Sequence, residues 1–194
     1  MFKNQSILKR RFSKVVSIPE AVKKIKSGST LLSGGFGICG NPNSLIKEIS
    51  KQKIGGLTVV SNNAGLDTYG LGLLLNERLV KRCISSYVGE NKEFERQYMA
   101  GELELEITPQ GTLAEKIRSG GKGIPAFWTA TGAHTLMHEG GFPIKFKKGS
   151  QDVEIYSEAK EAREFNGRTH ILENTIFGDV AIIKAKRADK FGNL

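Results

Sequence analysis

The sequence is poor in the residues that hold small proteins together by covalent or metal bonds. Its 194 residues include two cysteines, Cys39 and Cys83, and three histidines. Two cysteines build no disulfide framework, which indicates a reducing compartment. No run approaches 18 consecutive apolar residues, so no transmembrane helix is predicted. A chain of this length suits one domain, whose core needs neither a disulfide nor a metal.

The composition excludes global disorder, and the positive charge is concentrated at one end. Hydrophobic residues make up 39% and charged residues 25% of the chain, which is typical of a globular protein. The formal net charge is +9. Residues 1–14 contain no acid and carry five of these nine charges, at Lys3, Lys9, Arg10, Arg11 and Lys14. Residues 15–194 are only mildly basic, so neither nucleic acid nor a membrane is an expected partner.

The first 14 residues have the composition of a targeting segment. They combine lysine, arginine, serine and scattered apolar residues without Asp or Glu, as mitochondrial transit peptides do. The longest apolar run is Ile7-Leu8, which is too short for a secretory signal. We therefore predict a transit-like peptide over 1–14, and location in the mitochondrial matrix. The alternative is a solvated basic tail.

The first part of the remaining chain predicts a βαβ unit. Residues 30–32 are apolar and strand-like, and a glycine-rich loop follows over 34–40. Asn41 and Pro42 are then expected at the N-cap and first position of a helix. The next apolar run, 57–60, predicts a second strand. This alternation is typical of an α/β protein with a Rossmann-like, mostly parallel sheet flanked by helices.

Further elements are predicted from local signals. Ser17 and Glu20 form a capping box that opens a short helix. Asn166-Gly167 is expected in a type I′ hairpin turn, because both residues tolerate positive φ. The other predicted elements are helices over 71–79 and 113–117 and strands over 82–88, 124–128 and 180–185. No internal repeat is apparent.

The glycine-rich loop leaves several interpretations open. Residues 35–40, GFGICG, match the pattern G-x-G-x-x-G between a strand and a helix. A dinucleotide site would need an acid at the end of the second strand, but the first acid there is Asp67. The glycines could serve helix–sheet packing, an acyl or phosphate site, or, least favoured, a dinucleotide.

A wider set of motifs carries a family resemblance. Residues 27–42, SGSTLLSGGFGICGNP, resemble the first signature of the class I CoA-transferases, with departures at Ser27 and Ser33. Further matching blocks follow in order at 61–65, 85–91, 93–98, 108–115, 165–167 and 188–193. They cover essentially all of 15–194, and the ensemble resembles the alpha-type (N-terminal) half of 3-ketoacid CoA-transferases.

The resemblance implies an activity and a partner. The family transfers CoA, here from succinyl-CoA to acetoacetate in ketone-body catabolism, through a glutamyl-CoA thioester. Its nucleophilic glutamate lies in a Ser-Glu-Asn-Gly motif of the other half. This chain lacks that motif, and Glu90-Asn91-Lys92 is only a partial look-alike. We therefore assign no catalytic nucleophile here and expect the chain alone to be inactive.

The expected assembly follows from the missing motif. The second, beta-type half would be the partner, in a homodimer of the full enzyme, with 15–194 as an alpha-type domain. This domain is expected either as a separate subunit or, as the transit-like segment favours, as the N-terminal half of an apparently truncated two-half polypeptide. Two alternatives stay open. The chain could be half of an acetate or other short-acid CoA-transferase, or a non-catalytic fragment that pairs with a transferase subunit. No cofactor is implied, since the CoA thioester is a substrate.

The resemblance also implies which residues line the site. The loop backbone would border the thioester, and its members are Gly34, Gly35, Phe36, Gly37 and Gly40. Gln110 has a neutral amide that can donate to a carboxylate or an oxyanion. Asn62 and Asn63 end a strand where open α/β sheets bind ligands. Ordinary turn chemistry is the alternative for Gln110 and for the Asn pair.

Other chemically suggestive residues favour structural interpretations. His134 and His138 have helical spacing, but Gly140-Gly141 follows closely, so no metal site is expected. Cys39 has no histidine nearby in the sequence to activate it. Residues 145–148, KFKK, are expected in a solvated loop rather than on CoA phosphates.

Overall fold

The computed structural model describes residues 13–194. Most of the segment predicted as a transit-like peptide, residues 1–12, lies outside the described residues. The helices are α1 (Ile18–Val22), α2 (Asn43–Lys51), α3 (Gly72–Asn76), α4 (Lys92–Met99), α5 (Gln110–Gly121) and α6 (Leu136–Glu139). The first strands are β1 (Thr30–Ser33), β2 (Leu57–Asn63), β3 (Val80–Tyr87), β4 (Glu104–Ile107) and β5 (Ala126–Thr129). The others are β6 (Pro143–Phe146), β7 (Val153–Tyr156), β8 (Ala162–Phe165), β9 (Arg168–Asn174) and β10 (Val180–Ile182).

A parallel five-stranded sheet organises the fold. Its strand order is β10-β1-β2-β3-β4, and all four pairings are parallel. Parallel neighbours need crossover connections, and these are right-handed in nearly all proteins. The three successive crossovers from β1 to β4 therefore place α2, α3 and α4 on one face. The predicted α/β class with a mostly parallel sheet is confirmed.

The two faces of this sheet are covered very differently. On the face of α2, α3 and α4, nineteen buried residues of the described chain form one apolar cluster. It includes Leu31 and Val59 from the sheet and Ile46, Leu74 and Phe94 from the helices. The opposite face carries α5, and the apolar cluster there has four buried members: Val60, Ile84, Leu113 and Ile176. Most of the core therefore lies on the first face.

Antiparallel strands complete the structure beside α5. Strands β5, β9 and β8 form one sheet in that order, and β6 pairs with β7. The turn between β8 and β9 has positive φ at Asn166 (52°) and Gly167 (72°), as predicted for a type I′ hairpin. Only this hairpin was expected from the sequence. The β6–β7 pairing is a second local hairpin that the sequence reasoning missed, whereas the β5–β9 pairing joins segments that are distant in the chain.

Buried and partly buried charges line a cavity between the parallel sheet and the antiparallel strands. The Lys116 ammonium on α5 contacts Glu106 of β4 at 3.1 Å and Glu173 of β9 at 3.4 Å. Lys160 also pairs with Glu173, and Arg82 of β3 pairs with Glu106 at 2.6 Å. We call these five side chains the interior ion cluster. Buried charges are tolerated only with such partners.

Several local predictions are confirmed and others need correction. The Ser17 hydroxyl accepts from the Glu20 amide and caps α1 as expected. The predicted cap of α2 is wrong, because Pro42 is the N-cap and the Asn41 side chain is buried elsewhere. The helix predicted over 71–79 is shorter, and the strand predicted over 180–185 ends at Ile182. No helix among residues 13–194 has the length and apolar character needed to cross a membrane.

Candidate functional site

The residues singled out from the sequence follow the carboxyl ends of neighbouring parallel strands. The glycine loop, residues 34–40, leaves β1, and Asn62 and Asn63 end β2. Gln110 follows β4 at the same edge of the sheet. This edge is where open α/β sheets bind ligands, because the strand ends and helix starts leave a crevice there. The topology therefore gathers the candidates on one side of the molecule.

The first glycine loop, residues 34–40, is a tight backbone hairpin. Phe36 and Cys39 exchange both of their backbone hydrogen bonds, at 2.9 Å each. Gly37 and Gly40 have positive φ, 57° and 70°, which L side chains rarely adopt. The tip is open, since a Cβ built at Gly37 would meet no atom within 4 Å. At Gly37 the loop thus presents its backbone to the crevice without a side chain.

Two buried asparagines hold this loop from the inside. The Asn41 amide donates to the Gly37 carbonyl at 3.0 Å, and the Asn63 amide reaches the same oxygen at 3.5 Å. Both side chains are buried. A Cβ at Gly35 would lie 2.2 Å from the Asn41 Oδ1, so Gly35 leaves the room that this side chain needs. Asn63 and the loop are therefore brought into contact, as the shared edge suggested.

A second loop of the same design packs beside the first. The second glycine loop, residues 64–70, follows β2, and Leu66 and Tyr69 exchange backbone hydrogen bonds. The Tyr69 hydroxyl donates to the Ile38 carbonyl at 3.4 Å. The spacing Gly65…Gly70 repeats Gly35…Gly40. That repeat is a signal visible in the sequence, and it could have predicted the second loop.

Asn91 anchors the second glycine loop from the next strand connection. Its amide nitrogen donates to the carbonyls of Ala64 and Gly65, at 3.2 and 3.3 Å. Its Oδ1 accepts from the Phe94 amide at 2.8 Å and so caps α4. The preceding residue, Glu90, is exposed with φ of 67°. The matched block around Asn91 therefore supports the loop rather than supplying a buried carboxylate.

Gln110 lies at the same edge but apart from the loops. It is exposed and is the first residue of α5, so its interpretation as a loop residue is corrected. β4 and β2 are two strands apart, which corresponds to about 10 Å. Within residues 13–194 neither the Gln110 amide nor the Asn62 amide has a hydrogen-bond partner among side chains or backbone. Both amides remain available to a ligand.

Unpartnered hydroxyls lie beneath this part of the edge. The hydroxyls of Ser61, Ser86 and Thr112 are buried and have no hydrogen-bond partner in the described chain. Thr112 belongs to the first turn of α5, where the backbone N–H groups of a helix are also unpaired. Buried polar groups are normally satisfied. Their concentration here contrasts with the fully paired interior ion cluster.

Apolar side chains at the edge are exposed. Phe36 is 72% exposed and Ile38 is 61% exposed, at the tip of the first glycine loop. Tyr69 of the second loop and Tyr87 at the end of β3 are exposed as well, by 39% and 56%. Apolar groups that follow one another along a surface mark an interaction site more often than scattered ones do. The edge therefore has the character of a contact surface.

The remaining candidates have structural surroundings. The His138 Nδ1 accepts from the His134 backbone N–H at 3.2 Å, and no group of three potential metal ligands occurs within residues 13–194. Lys145 pairs with Glu154. Burial raises the pKa of the Cys83 thiol to about 11, which keeps it protonated. Cys39 is exposed, and its backbone closes the first glycine loop.

The arrangement as a whole offers donors rather than a nucleophile. Unpartnered backbone N–H groups and neutral amides lie at this edge, and none of the carboxylates that the structure describes there is buried. Neutral donors stabilise negative charge on a thioester or carboxylate oxygen without adding a competing counter-charge. The chemistry that fits is binding and charge stabilisation for a group attacked from elsewhere.

Comparison with known proteins also points to CoA thioester chemistry. Residues 15–194 match the family model described as Coenzyme A transferase. The chain is 51% identical over 180 residues to one subunit of the probable succinyl-CoA:3-ketoacid coenzyme A transferase of Mycobacterium tuberculosis, covering 93% of this chain and 72% of that protein. The corresponding subunit from Xanthomonas campestris is 54% identical over 170 residues, which cover 88% of this chain and 62% of that protein. The mouse mitochondrial enzyme 2A is 50% identical over 175 residues, which cover 90% of this chain but 34% of the longer mouse protein.

Solved structures share the fold at low identity. The acyl-CoA transferase YdiF of Escherichia coli superposes with a TM-score of 0.73 at 22% identity, over 92% of this chain and 35% of that chain. The glutaconate coenzyme A-transferase of Acidaminococcus fermentans gives 0.71 at 21% identity, over 93% of this chain and 59% of that chain. Both show that the parallel sheet with its flanking helices is the architecture of such transferases.

Proposed function

The chain belongs to the coenzyme A transferase family, and we propose that it is the alpha-type half of a 3-ketoacid CoA-transferase. In this proposal it moves CoA from succinyl-CoA to acetoacetate together with a second half. The observation that carries it is the 50–54% identity to succinyl-CoA:3-ketoacid transferases across about nine tenths of the chain. The bacterial relatives are named as single subunits of their transferases, which fits a two-part enzyme.

In the proposed mechanism the nucleophile comes from the second half. A glutamate carboxylate there attacks the thioester carbonyl, whose π electrons move onto the oxygen. The C–S bond then breaks, CoA thiolate leaves, and a mixed anhydride remains. The thiolate then attacks the glutamyl carbonyl of this anhydride. The bond between the glutamyl carbonyl carbon and the bridging oxygen breaks, and succinate leaves with that oxygen. Acetoacetate takes the CoA by the reverse of these steps.

The residues of this chain stabilise charge in those steps. Each attack produces an oxyanion, and one well-placed donor contributes roughly 3–4 kcal/mol to its stabilisation. Gln110 and the first glycine loop supply donors, and Asn62 is the further candidate at the end of β2. Gln110, exposed and unpartnered in the described chain, is the residue we assign to the substrate carboxylate or oxyanion. CoA is a substrate here, and no resident cofactor is required.

The exposed apolar edge gives the second half a place to bind. Phe36, Ile38, Tyr69 and Tyr87 surround the crevice and are partly to largely exposed. A partner that packs against them would bring its glutamate to the donors and exclude water from the reaction. The isolated chain should then self-associate or be poorly soluble, since uncovered apolar patches favour aggregation.

The experiment is reconstitution from separate halves. The chain is mixed with a beta-type half that contains Ser-Glu-Asn-Gly, and CoA exchange between succinyl-CoA and acetoacetate is measured. We expect no exchange by the chain alone, exchange by the mixture, and loss when the glutamate of that motif is changed to Ala. Exchange that persists after this change would place the nucleophile in this chain, with Glu90 the first suspect. A preference for acetate over acetoacetate would assign it to a short-acid transferase instead.

We also propose that residues 1–14 direct import into mitochondria. The basic, acid-free composition supports this, and so do the mitochondrial names of the human and mouse relatives. Bacterial relatives are equally similar, so the location needs its own test. Residues 1–25 fused to a fluorescent protein should label mitochondria, whereas the same fusion with its lysines and arginines changed to Gln should not. A diffuse signal from the unchanged fusion would contradict import.

A further inference from the structure

The peptide between Gly37 and Ile38 has an orientation that the surrounding side chains impose. Its carbonyl accepts from Asn41 at 3.0 Å and is reached by Asn63 at 3.5 Å. Both asparagines are almost fully buried, with exposed fractions of 4% and 7%. Two donors converge on one oxygen, which has two lone pairs to accept them. The carbonyl is therefore directed into the protein.

The N–H of the same peptide must then be directed outward. A trans peptide is planar, and its C=O and N–H point in opposite directions. The Ile38 N–H accordingly faces away from the buried asparagines and toward the crevice, where the Ile38 side chain is also exposed. Within the described residues this N–H has no acceptor in backbone or side chain.

Hydrogen bonds also fix the orientation of the next peptide, between Ile38 and Cys39. The Tyr69 hydroxyl donates to the Ile38 carbonyl, and the Cys39 N–H donates to the Phe36 carbonyl at 2.9 Å. Rotation of the 37–38 peptide would break the Asn41 and Asn63 contacts while its neighbour stays fixed. Without these contacts, Gly37 would leave the loop free to flip, because glycine accepts several backbone conformations.

We propose that Asn41 and Asn63 are positioning residues that aim the Ile38 N–H at the oxygen of the bound CoA thioester. This rests on the proposed transferase function and adds to it a donor and the two side chains that orient it. When the carboxylate attacks, the carbonyl oxygen gains negative charge, and a donor already in place needs no reorganisation. Asn41 and Asn63 do not touch the substrate and act through the loop backbone.

The test uses the reconstituted two-half enzyme and the first half-reaction. Formation of the enzyme–CoA thioester from succinyl-CoA is followed in single turnovers, which separates the rate constant from ester binding. Asn41→Asp retains the shape but loses the donor, and Asn41→Leu removes the polar group. We expect the rate constant to fall by about tenfold to a hundredfold with ester affinity nearly unchanged. Asn63→Asp should act in the same direction.

Matched controls separate positioning from folding. Asn174→Asp and Asn174→Leu make the same changes at an exposed side chain that ends β9, in the antiparallel sheet and not at the carboxyl edge. They should leave the rate constant unchanged. Melting curves and the fraction of enzyme that forms thioester correct for any loss of folded protein. A rate constant unchanged in the folded Asn41 variants would overturn the inference while leaving the transferase function intact.

A measurement on the unaltered chain covers the case in which the variants do not fold. With 15N-isoleucine in the complex, the Ile38 amide proton should shift downfield when succinyl-CoA is bound, and Ile38→Val identifies its signal. No shift on binding would overturn the inference. An enzyme that never exchanges CoA, with unaltered halves, would instead remove the transferase function on which the inference rests.

Discussion

Two polar regions of the molecule differ in how their hydrogen-bonding groups are used. In the interior ion cluster every charge has a partner, and Glu173 alone contacts both Lys116 and Lys160. At the carboxyl edge the Gln110 amide, the Ile38 N–H and the Thr112 hydroxyl have no partner within residues 13–194. The cluster joins two sheets, whereas the edge faces open space.

This difference separates stability from function. A paired buried charge contributes to holding elements together, and removing its partner is costly because the remaining charge is stranded. An unpartnered donor at an open edge contributes little to the fold and is available to a ligand. Substitutions in the cluster should therefore lower stability, and substitutions at the edge should lower activity or assembly.

The largest effect is expected at the centre of the interior ion cluster. Glu173→Leu leaves Lys160 without a carboxylate and Lys116 with Glu106 as its remaining partner, and it should lower the free energy of unfolding by about 3 kcal/mol, the lower end of the cost of breaking a buried pair. Chemical denaturation measures this. Glu161→Leu is the matched control, because that side chain is 51% exposed and pairs with Arg163 at the surface. Equal losses in both variants would contradict the role assigned to the cluster.

The next effect concerns catalysis at the edge. In the reconstituted enzyme, Gln110→Ala should lower kcat/KM by roughly one to three orders of magnitude if the amide donates to an oxyanion or carboxylate. The melting curve should stay the same, since the side chain is exposed. Gln151→Ala, at another exposed glutamine, is the control. If kcat/KM is unchanged, Gln110 has no part in catalysis and serves only the local structure at the start of α5.

A smaller effect is expected on assembly of the two halves. Phe36→Ser removes the most exposed apolar side chain of the first glycine loop and should weaken binding of the second half by about 1–2 kcal/mol. Calorimetry or sedimentation measures the change. Phe177→Ser is the control, because Phe177 is 64% exposed but precedes β10, at the opposite edge of the sheet. If the control weakens binding as much as Phe36→Ser does, the second half binds elsewhere.

The smallest effect is a pH dependence of the interior ion cluster. Burial raises the pKa of Glu106, but the charges of Lys116 and Arg82 and their hydrogen bonds outweigh this, and the net pKa is lowered. A depressed folded-state pKa contributes stability above the unfolded value, about 4.3, and that stability is lost as the pH falls through the folded value. Glu106→Gln should therefore flatten the acid side of the stability profile. If the free energy of unfolding falls equally steeply at acid pH in the unaltered chain and in Glu106→Gln, this prediction is wrong.

Local signals predicted much of the parallel sheet. Ser17 caps its helix, the apolar runs form β1 and β2, and Asn166-Gly167 turns a hairpin, because each signal acts over a few residues. The placement of Asn63 at a strand end also followed from its apolar run. Asn41 was predicted wrongly, because its local pattern favours an N-cap. Its actual partner, the Gly37 carbonyl, becomes available only once the loop has folded.

The sequence by itself determined the fold class, the family and the set of residues that can meet at one edge. These depend on periodicity, turn chemistry and matched motifs, which are all properties of residues close together in the sequence. Only the tertiary structure decided that Asn41 and Asn63 share one carbonyl, and that Glu106, Lys116 and Glu173 meet. Those contacts join residues that are up to 57 positions apart. Their formation depends on sheet order and crossover direction, which no local segment encodes.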